Sequence, residues 1–141
     1  YDLYSGVGLF ASGAIDLVGT NGRITMIEES ESAVTDARRN FAQFEIVEVI
    51  EGKVEVALKS FKRADVVVLD PPRAGAGEKV LKSILALNPR RIVYVACDPA
   101  SLARDTAILR ERGFELDELK AFDLFPMTQH IESVACFIRI D

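Results

Sequence analysis

The sequence predicts an α/β fold built on a mostly parallel sheet with an antiparallel last strand. Short apolar runs alternate with segments of helical pattern through most of the chain, which is typical of strands joined by covering helices. Runs that are apolar throughout, such as Val66 to Leu69, favour strands buried on both faces. The last two apolar runs have no helix between them, so we expect that pair to be antiparallel.

The first half of the chain shows three strand patterns and three helix patterns. Ser30 stands before the second helical segment as a plausible N-cap. We expect strands at 1–4, 23–27 and 45–50 and helices at 9–17, 30–41 and 54–61.

The second half contains the clearest boundaries. Asp98 as N-cap and Pro99 at the first helical position predict the start of a helix, and Gly113 predicts its end. We expect strands at 64–69, 91–96, 114–122 and 131–140 and helices at 77–87 and 99–112. Without a linker or repeat, residues 1–141 are interpreted as one domain.

Composition narrows the class of protein. Of 141 residues, 49% are hydrophobic and 28% charged, as in an ordinary globular protein. The net charge of −5 argues against a simple basic nucleic-acid-binding module. Two distant cysteines form neither a disulfide framework nor a metal-ligand cluster, so we expect no metal and a reducing, cytoplasmic location. Because residues 1–4 are a strand tail that leads directly into a glycine loop, we expect a chain truncated at its N-terminus.

A glycine loop follows the first strand. Gly6, Gly8 and Ala11 fit a loose G-x-G-x-x-A dinucleotide pattern, although a tight structural turn would have the same sequence. Glu28 ends the second strand about 20 residues later, where an acid commonly binds ribose hydroxyls. Its neighbours Glu29 and Glu31 are also explained as acids favoured by a helix N-terminus.

Cys97 lies at the carboxyl end of a predicted strand and just before a helix. Open α/β sheets bind ligands at this edge. The positive end of the helix favours the thiolate, which is the nucleophilic form of cysteine. The sequence therefore predicts that Cys97 acts as a covalent nucleophile.

Two acids at other strand ends are further candidates. Asp70 begins Asp-Pro-Pro-Arg after a buried strand, where a carboxylate needs hydrogen bonds or a ligand. The alternative is that Asp70 caps a rigid turn. Arg73 is either a surface residue or a binder of phosphate or carboxylate. Glu132 lies in an apolar strand, where it is either ion-paired or a proton acceptor with a raised pKa. His130 is expected in a loop or supporting role, and Cys136 is interpreted as a buried hydrophobic residue.

Taken together, these segments resemble the RNA 5-methyluridine methyltransferases, which use S-adenosylmethionine. The similarity lies in four motifs: Asp-Leu-Tyr-Ser-Gly-Val-Gly at 2–8, Leu-Asp-Pro-Pro-Arg-Ala-Gly at 69–75, Tyr-Val-Ala-Cys-Asp-Pro-Ala-Ser-Leu-Ala-Arg-Asp at 94–105 and Phe-Pro-Met-Thr-Gln-His-Ile-Glu at 125–132. The resemblance implies a Rossmann-like S-adenosylmethionine-dependent methyltransferase fold.

The resemblance also implies roles for individual residues. Cys97 would be the nucleophile, Glu132 the general base, and Asp70 would lie between the cofactor and the target base. Arg73 and His130 would contact the RNA substrate, which is either ribosomal or transfer RNA. RNA affinity would come from N-terminal domains outside this sequence. The cofactor would be bound by Tyr4, Gly6, Gly8, Glu28 and Asp70.

Three other functions are compatible with parts of the pattern. A methyltransferase acting on amines would use the proline motif but would not need a nucleophilic cysteine. A non-catalytic module of the same fold would bind a partner without methylating it. A nicotinamide-dependent oxidoreductase would use the glycine loop and Glu28, but it leaves Cys97 and Glu132 without a joint role.

Overall fold

The structure is a computed structural model that describes residues 1–124, 127 and 131–140. These residues form seven strands and five α-helices. The chain divides into two compact units, residues 1–61 and 62–141. None of the helices in the described part is long and apolar enough to span a membrane.

The first unit is a three-stranded parallel sheet with its helices. The elements are β1 (Asp2–Leu3), α1 (Leu9–Val18), β2 (Ile24–Glu28), α2 (Glu31–Asn40), β3 (Val47–Glu51) and α3 (Val54–Ala57). A 3₁₀ turn, Leu58–Ser60, follows α3. The strands lie in the order β3-β2-β1, and Leu3 pairs with Ile27 while Glu28 pairs with Glu51.

The core of this unit lies between β2 and the helices α1 and α2. Helical spacing places Val34 and Ala37 on the buried face of α2, and Phe41 follows at its end. Phe41 packs with Ala11 of α1 and Met26 of β2 in one cluster. Buried Asp2 accepts a hydrogen bond of 3.0 Å from the Ala11 amide, so β1 supports the first turn of α1.

The second unit is a four-stranded mixed sheet. The elements are β4 (Val66–Leu69), α4 (Gly77–Ala86), β5 (Arg91–Ala96), α5 (Pro99–Arg110), β6 (Phe114–Phe122) and β7 (Glu132–Arg139). The strands lie in the order β4-β5-β7-β6. Strands β4 and β5 are parallel, and β7 is antiparallel to both β5 and β6.

The prediction that the last two strands are antiparallel is confirmed, and the structure adds their order. The last strand, β7, lies between β5 and β6 instead of at the sheet edge. Because β7 runs opposite to β5, its first residues lie at the carboxyl end of β5. This order brings the start of β7 to the edge where α/β sheets bind ligands.

Burial alternates along β4, β5 and β7, whereas β6 is exposed after its first residue. Ile92, Tyr94 and Ala96 are buried on β5, whereas Val93 and Val95 are only half-buried. The apolar run at 91–96 predicted a strand buried on both faces. The face of β5 that carries Val93 and Val95 is therefore more exposed to solvent than expected. A continuous apolar run cannot reveal which of its two faces has the better cover.

Two local predictions differ from the structure in detail. The helical segment expected at 54–61 is one α-helical turn followed by a 3₁₀ turn. Ser30 occupies the N-cap of α2, but its hydroxyl lies 3.1 Å from the Ser32 hydroxyl. The Glu28 carboxylate instead accepts a hydrogen bond of 2.8 Å from the Ser30 amide. Glu28, at the end of the preceding strand, thus provides the hydrogen-bond acceptor for a backbone amide at the start of α2.

Two glycines near α1 give opposite expectations for substitution. Gly8→Ala should lower the free energy of unfolding by more than about 1 kcal/mol, since Gly8 has φ of 98° and an added Cβ would overlap the Phe41 ring. Gly13→Ala should raise it by roughly 0.5–1 kcal/mol, because Gly13 lies inside α1 with open space among the described residues. Urea unfolding of both variants measures the pair, and equal effects would contradict the geometry.

Candidate active site

The glycine loop joins β1 to α1 through a series of left-handed residues. Tyr4, Gly6 and Gly8 have φ values of 59°, 53° and 98°. The Gly8 amide donates to the Ser5 carbonyl over 2.9 Å, which closes the turn before α1. A non-glycine residue such as Tyr4 is held in this region only when its surroundings require it, and such residues cluster at ligand sites.

Glu28, at the end of β2, holds this loop directly. Its Oε2 accepts a hydrogen bond of 2.9 Å from the Gly6 amide. Its Oε1 accepts from the amides of Glu29 at 2.9 Å and Ser30 at 2.8 Å. A carboxylate has about four acceptor positions, so one remains on Oε2 for a ligand hydroxyl. The structure therefore brings Glu28 and the glycine loop together, and ribose binding by Glu28 stays a prediction.

The loop has further features that fit a nucleoside cofactor. Among the described residues, no atom lies within 4 Å of the position that a Cβ of Gly6 would occupy. The Ser5 side chain is buried, and its Oγ has no hydrogen-bond partner in the described part of the chain. A buried hydroxyl without a partner is unusual and suggests a polar group that binds there.

Cys97 follows β5 directly and is half-buried. The capping prediction for the next residue is confirmed: Asp98 Oδ1 accepts from the Ser101 amide over 2.7 Å, and Pro99 is the first residue of α5. The Ser101 hydroxyl donates in turn to the Asp98 carbonyl over 3.0 Å. These bonds fix the turn that carries Cys97 at the positive end of α5.

The hydrogen bonds of the cap also stabilise the negative charge of Asp98 beside Cys97. The bond from the Ser101 amide, more than any other contact, lowers the pKa of the Asp98 carboxyl. The positive charge of Arg73 contributes a smaller part to the same lowering. Arg73 therefore lies within electrostatic range of the turn after Cys97 and offsets the negative charge of Asp98 there.

Strand register brings the other two acids to Cys97. Ala96 pairs with Ser133, so Cys97 and Glu132 each lie one residue beyond a paired position on adjacent strands. Leu69 pairs with Tyr94, which places Asp70 beside the last residues of β5. Glu132 is half-buried and begins β7, where it pairs with Phe122 of β6. The sequence placed Glu132 inside an apolar strand, whereas the structure places it at the strand's first position.

Asp70 and Glu132 influence each other electrostatically. Asp70 as a whole residue is exposed to solvent. Partial burial of its carboxyl, followed by the negative charge of Glu132, nevertheless raises its pKa. Two carboxyl groups near one thiol can hold and transfer protons at this edge of the sheet.

The remaining substrate candidates are placed differently. Arg73 is exposed and lies in a turn closed by a bond of 2.8 Å from the Gly75 amide to the Pro72 carbonyl. His130 and most of the segment 125–132 lie outside the described residues. The roles of Arg73 and His130 in substrate binding stay predictions.

Sequence reasoning missed two buried acids that support these segments. Asp2 anchors α1 from β1, and Asp105 of α5 is fully buried against the segment after Arg73. Each acid stands near apolar residues in the sequence, and a buried carboxylate needs several donors. Asp2 and Asp105 share this signal with Asp70, since each is an acid near apolar residues in the sequence.

The raised pKa of Asp70 gives an expected pH dependence. Between its ordinary pKa of 3.8 and its raised folded value, the folded protein binds more protons than the unfolded chain, so stability falls as pH rises through this interval. Asp70→Asn should remove that fall and therefore gain stability relative to wild type as pH rises. Urea unfolding between about pH 3 and pH 7 measures the difference. Glu132→Gln should reduce the same fall, and a difference independent of pH would contradict the shift.

Comparisons with known proteins identify the family of this chain. The family model described as tRNA (Uracil-5-)-methyltransferase matches residues 20–140. An uncharacterized RNA methyltransferase of Streptomyces avermitilis is 52% identical over 136 residues, which cover 95% of this chain and 31% of that protein. A second one, from Streptomyces coelicolor, is 51% identical over 136 residues, covering 95% of the chain and 30% of the relative. The chain thus spans about a third of the length of these relatives.

A solved structure shows the same fold. The tRNA (uracil-54, C5)-methyltransferase of Pyrococcus abyssi, in complex with S-adenosyl-L-homocysteine, superposes with a TM-score of 0.76 at 33% identity. The match covers 97% of this chain and 33% of that one. The Rossmann-like methyltransferase fold is therefore confirmed, and the resemblance that the four motifs indicated is confirmed with it. The chain belongs to the tRNA (uracil-5-)-methyltransferase family.

Proposed function

We propose that this chain carries the catalytic centre of an RNA (uracil-5-)-methyltransferase that forms 5-methyluridine in transfer or ribosomal RNA in the cytoplasm. The observation that carries the proposal is the register that brings Cys97, Glu132 and Asp70 together at one end of β4, β5 and β7. A nucleophile and two carboxyl groups at one site are the side chains that this reaction needs.

The family and its named members support the substrate class. Relatives are named RNA methyltransferases, and the Pyrococcus abyssi enzyme acts on tRNA. The net charge of −5 is unfavourable for binding a polyanion. Since the relatives are about three times as long, we assign much of the RNA affinity to parts of the full-length protein outside this chain.

S-adenosylmethionine is the proposed cofactor, and it supplies an electrophilic methyl group when bound. Tyr4, Gly6 and Gly8 form the turn that would receive it, and Glu28 offers its remaining acceptor position to the ribose. Asp70 is assigned to the cofactor as well, through its carboxyl at the end of β4.

Cys97 would activate the uracil ring by covalent addition. Carbon 5 of uracil is a weak nucleophile. When the Cys97 thiolate forms an Sγ–C6 bond, the electron pair of the C5–C6 double bond moves onto carbon 5 and the adjacent carbonyl. Carbon 5 is then enolate-like and would take the methyl group from the sulfonium, whose carbon–sulfur bond breaks to leave S-adenosylhomocysteine. The helix N-terminus behind Cys97 favours the thiolate that this step requires.

Glu132 would complete the reaction as general base. Its carboxylate takes the proton from carbon 5, the C5–C6 double bond forms again, and the Sγ–C6 bond breaks to release Cys97. Asp70 would hydrogen-bond the base edge and hold the ring in the reactive orientation. The uridine must leave its stack to reach the site, as in other enzymes that modify bases.

Covalent trapping tests the nucleophile. The full-length protein, incubated with S-adenosylmethionine and RNA carrying 5-fluorouridine, should form an adduct that survives a denaturing gel, because fluorine cannot leave carbon 5 as a cation. Cys97→Ala should abolish the adduct. Cys136→Ala is the matched control, since Cys136 lies in β7 opposite Val93 and should leave the adduct unchanged.

The trapping experiment also separates the competing functions. Mass spectrometry should place the RNA on the peptide that contains Cys97. Parallel reactions with transfer and ribosomal RNA identify the substrate. No adduct with RNA that the protein binds would mean that Cys97 is structural, in favour of amine methylation or partner binding alone.

Calorimetric titration with S-adenosylmethionine tests the cofactor site. Glu28→Gln should raise the dissociation constant by roughly 10- to 100-fold, because an amide replaces a charged acceptor that holds the Gly6 amide. Glu29→Gln is the control, since Glu29 is exposed and its side chain pairs with Lys53. Equal effects of the two substitutions would exclude the specific role of Glu28.

A further inference from the structure

Asp105 of α5 is a fully buried acid that the proposed reaction does not use. Its exposed fraction is 0%, and a buried carboxylate is costly unless donors surround it. An acid on the exposed face of α5 would not pay this desolvation cost. The hydrogen bonds that Asp105 makes must therefore explain why it is buried.

The Asp105 carboxylate accepts hydrogen bonds on both oxygens. Oδ2 accepts from the Tyr94 hydroxyl at 2.7 Å and from the amides of Ala76 at 2.8 Å and Gly77 at 3.2 Å. Oδ1 accepts from Arg104 Nε at 2.9 Å and Nη2 at 2.7 Å. Five donors thus converge on one side chain, and the Arg104 charge compensates its own.

Two further hydrogen bonds, from Arg104 and to Tyr94, hold the segment Ala74–Gly77. Arg104 Nη2 donates to the Ala74 carbonyl over 2.8 Å, and the Ala76 amide also reaches the Tyr94 hydroxyl at 2.9 Å. Gly75 has φ of 78°, and a Cβ there would lie 2.7 Å from Asp105 Oδ2. The backbone therefore approaches the carboxylate more closely than any residue with a side chain allows.

Asp105 and the groups that it binds lie on segments that carry the proposed catalytic residues. Ala74–Gly77 follows Asp70 and Arg73 without interruption. Tyr94 is in β5, which ends just before Cys97, and Asp105 is in the helix that begins just after it. One carboxylate thus connects both sides of Cys97 to the loop that follows Asp70.

We infer that Asp105 is a positioning residue for uracil methylation: by binding Tyr94, Arg104 and the amides of Ala76 and Gly77, it sets the Asp70–Arg73 segment relative to Cys97. This inference rests on the proposed function. Catalysis by approximation is sensitive to displacements of about 1 Å, which can reduce rates by about 100-fold. Fixing two catalytic segments to one buried carboxylate limits such displacements.

A purely structural role would have a different consequence. Asp105 also supplies the cap that Ala76 cannot provide at the start of α4, because alanine has no acceptor. If stabilisation of α4 were its whole contribution, losing the carboxylate would lower stability and leave the chemical step of the folded enzyme unchanged. The test must therefore compare the rate of that step at matched stability.

The first variant is Asp105→Asn in the full-length protein, which keeps the size and removes the charge. We expect the single-turnover rate of adduct formation with 5-fluorouridine RNA to fall by roughly 10- to 100-fold. The KM for S-adenosylmethionine should change by a smaller factor than this rate, since Asp70 is only one of the groups assigned to the cofactor and the glycine loop is untouched. Asp117→Asn is the matched control, because Asp117 is an ion-paired aspartate of β6 outside the network, and it should keep the wild-type rate.

Further variants separate positioning from stability. Ile84→Val removes one methyl group from the core of α4 and lowers stability without touching the network. It should keep the wild-type adduct rate. Tyr94→Phe removes a single hydroxyl and should slow adduct formation even if Asp105→Asn does not fold. The double variant should lose less than the product of the two single effects, since both act through one carboxylate.

The outcomes are distinguishable. If wild type forms the adduct and both Asp105→Asn and Tyr94→Phe form it at the same rate, the inference is wrong and the proposed function stands. The inference is also wrong if Ile84→Val slows the adduct as much as Asp105→Asn does. If wild type forms no adduct, the proposed function fails and the inference fails with it. A slower adduct in the network variants alone, with a change in KM smaller than the change in rate, supports the positioning role.

Discussion

The antiparallel pairing of β7 with β5 is the constraint on which the candidate active site depends. A parallel last strand would carry Glu132 to the opposite edge of the sheet, away from Cys97. Because β7 runs beside β5 in the reverse direction, Ser133 pairs with Ala96. The residue before Ser133, Glu132, therefore lies at the same end of the two strands as Cys97, the residue after Ala96. A shift of one residue in this register would turn the Glu132 side chain to the other face of the sheet. The strand pairing therefore determines both where Glu132 lies and which face its side chain is on.

Three carboxylates hold the irregular segments around the proposed sites through backbone amides. Asp2 binds the first turn of α1, Glu28 binds Gly6 and the start of α2, and Asp105 binds Ala76 and Gly77. In each case the acid belongs to a strand or helix and the donors belong to a loop or helix start. Loops need partners for their amides, and a carboxylate on a regular element supplies them in a defined place.

The order of strands and helices could be predicted because each element has a local signal. Asp98 with Pro99 marked the start of α5, and the run 114–122 matched β6 at both ends. At Ser30 a standard cap residue makes no side-chain capping hydrogen bond, and the Glu28 carboxylate of β2 accepts a hydrogen bond from the Ser30 amide. The buried network of Asp105 was also missed, since its donors come from three separated segments.

The sequence by itself determined the alternating architecture, the candidate nucleophile, the glycine loop and the motifs of the family. Those features depend on residues that are neighbours along the chain, where periodicity, capping and turn chemistry act. Only the tertiary structure decided that β7 lies between β5 and β6, that Asp70 responds to the charge of Glu132, and that Asp105 gathers its donors. These features depend on strand register and on burial, which arise from contacts between distant parts of the chain.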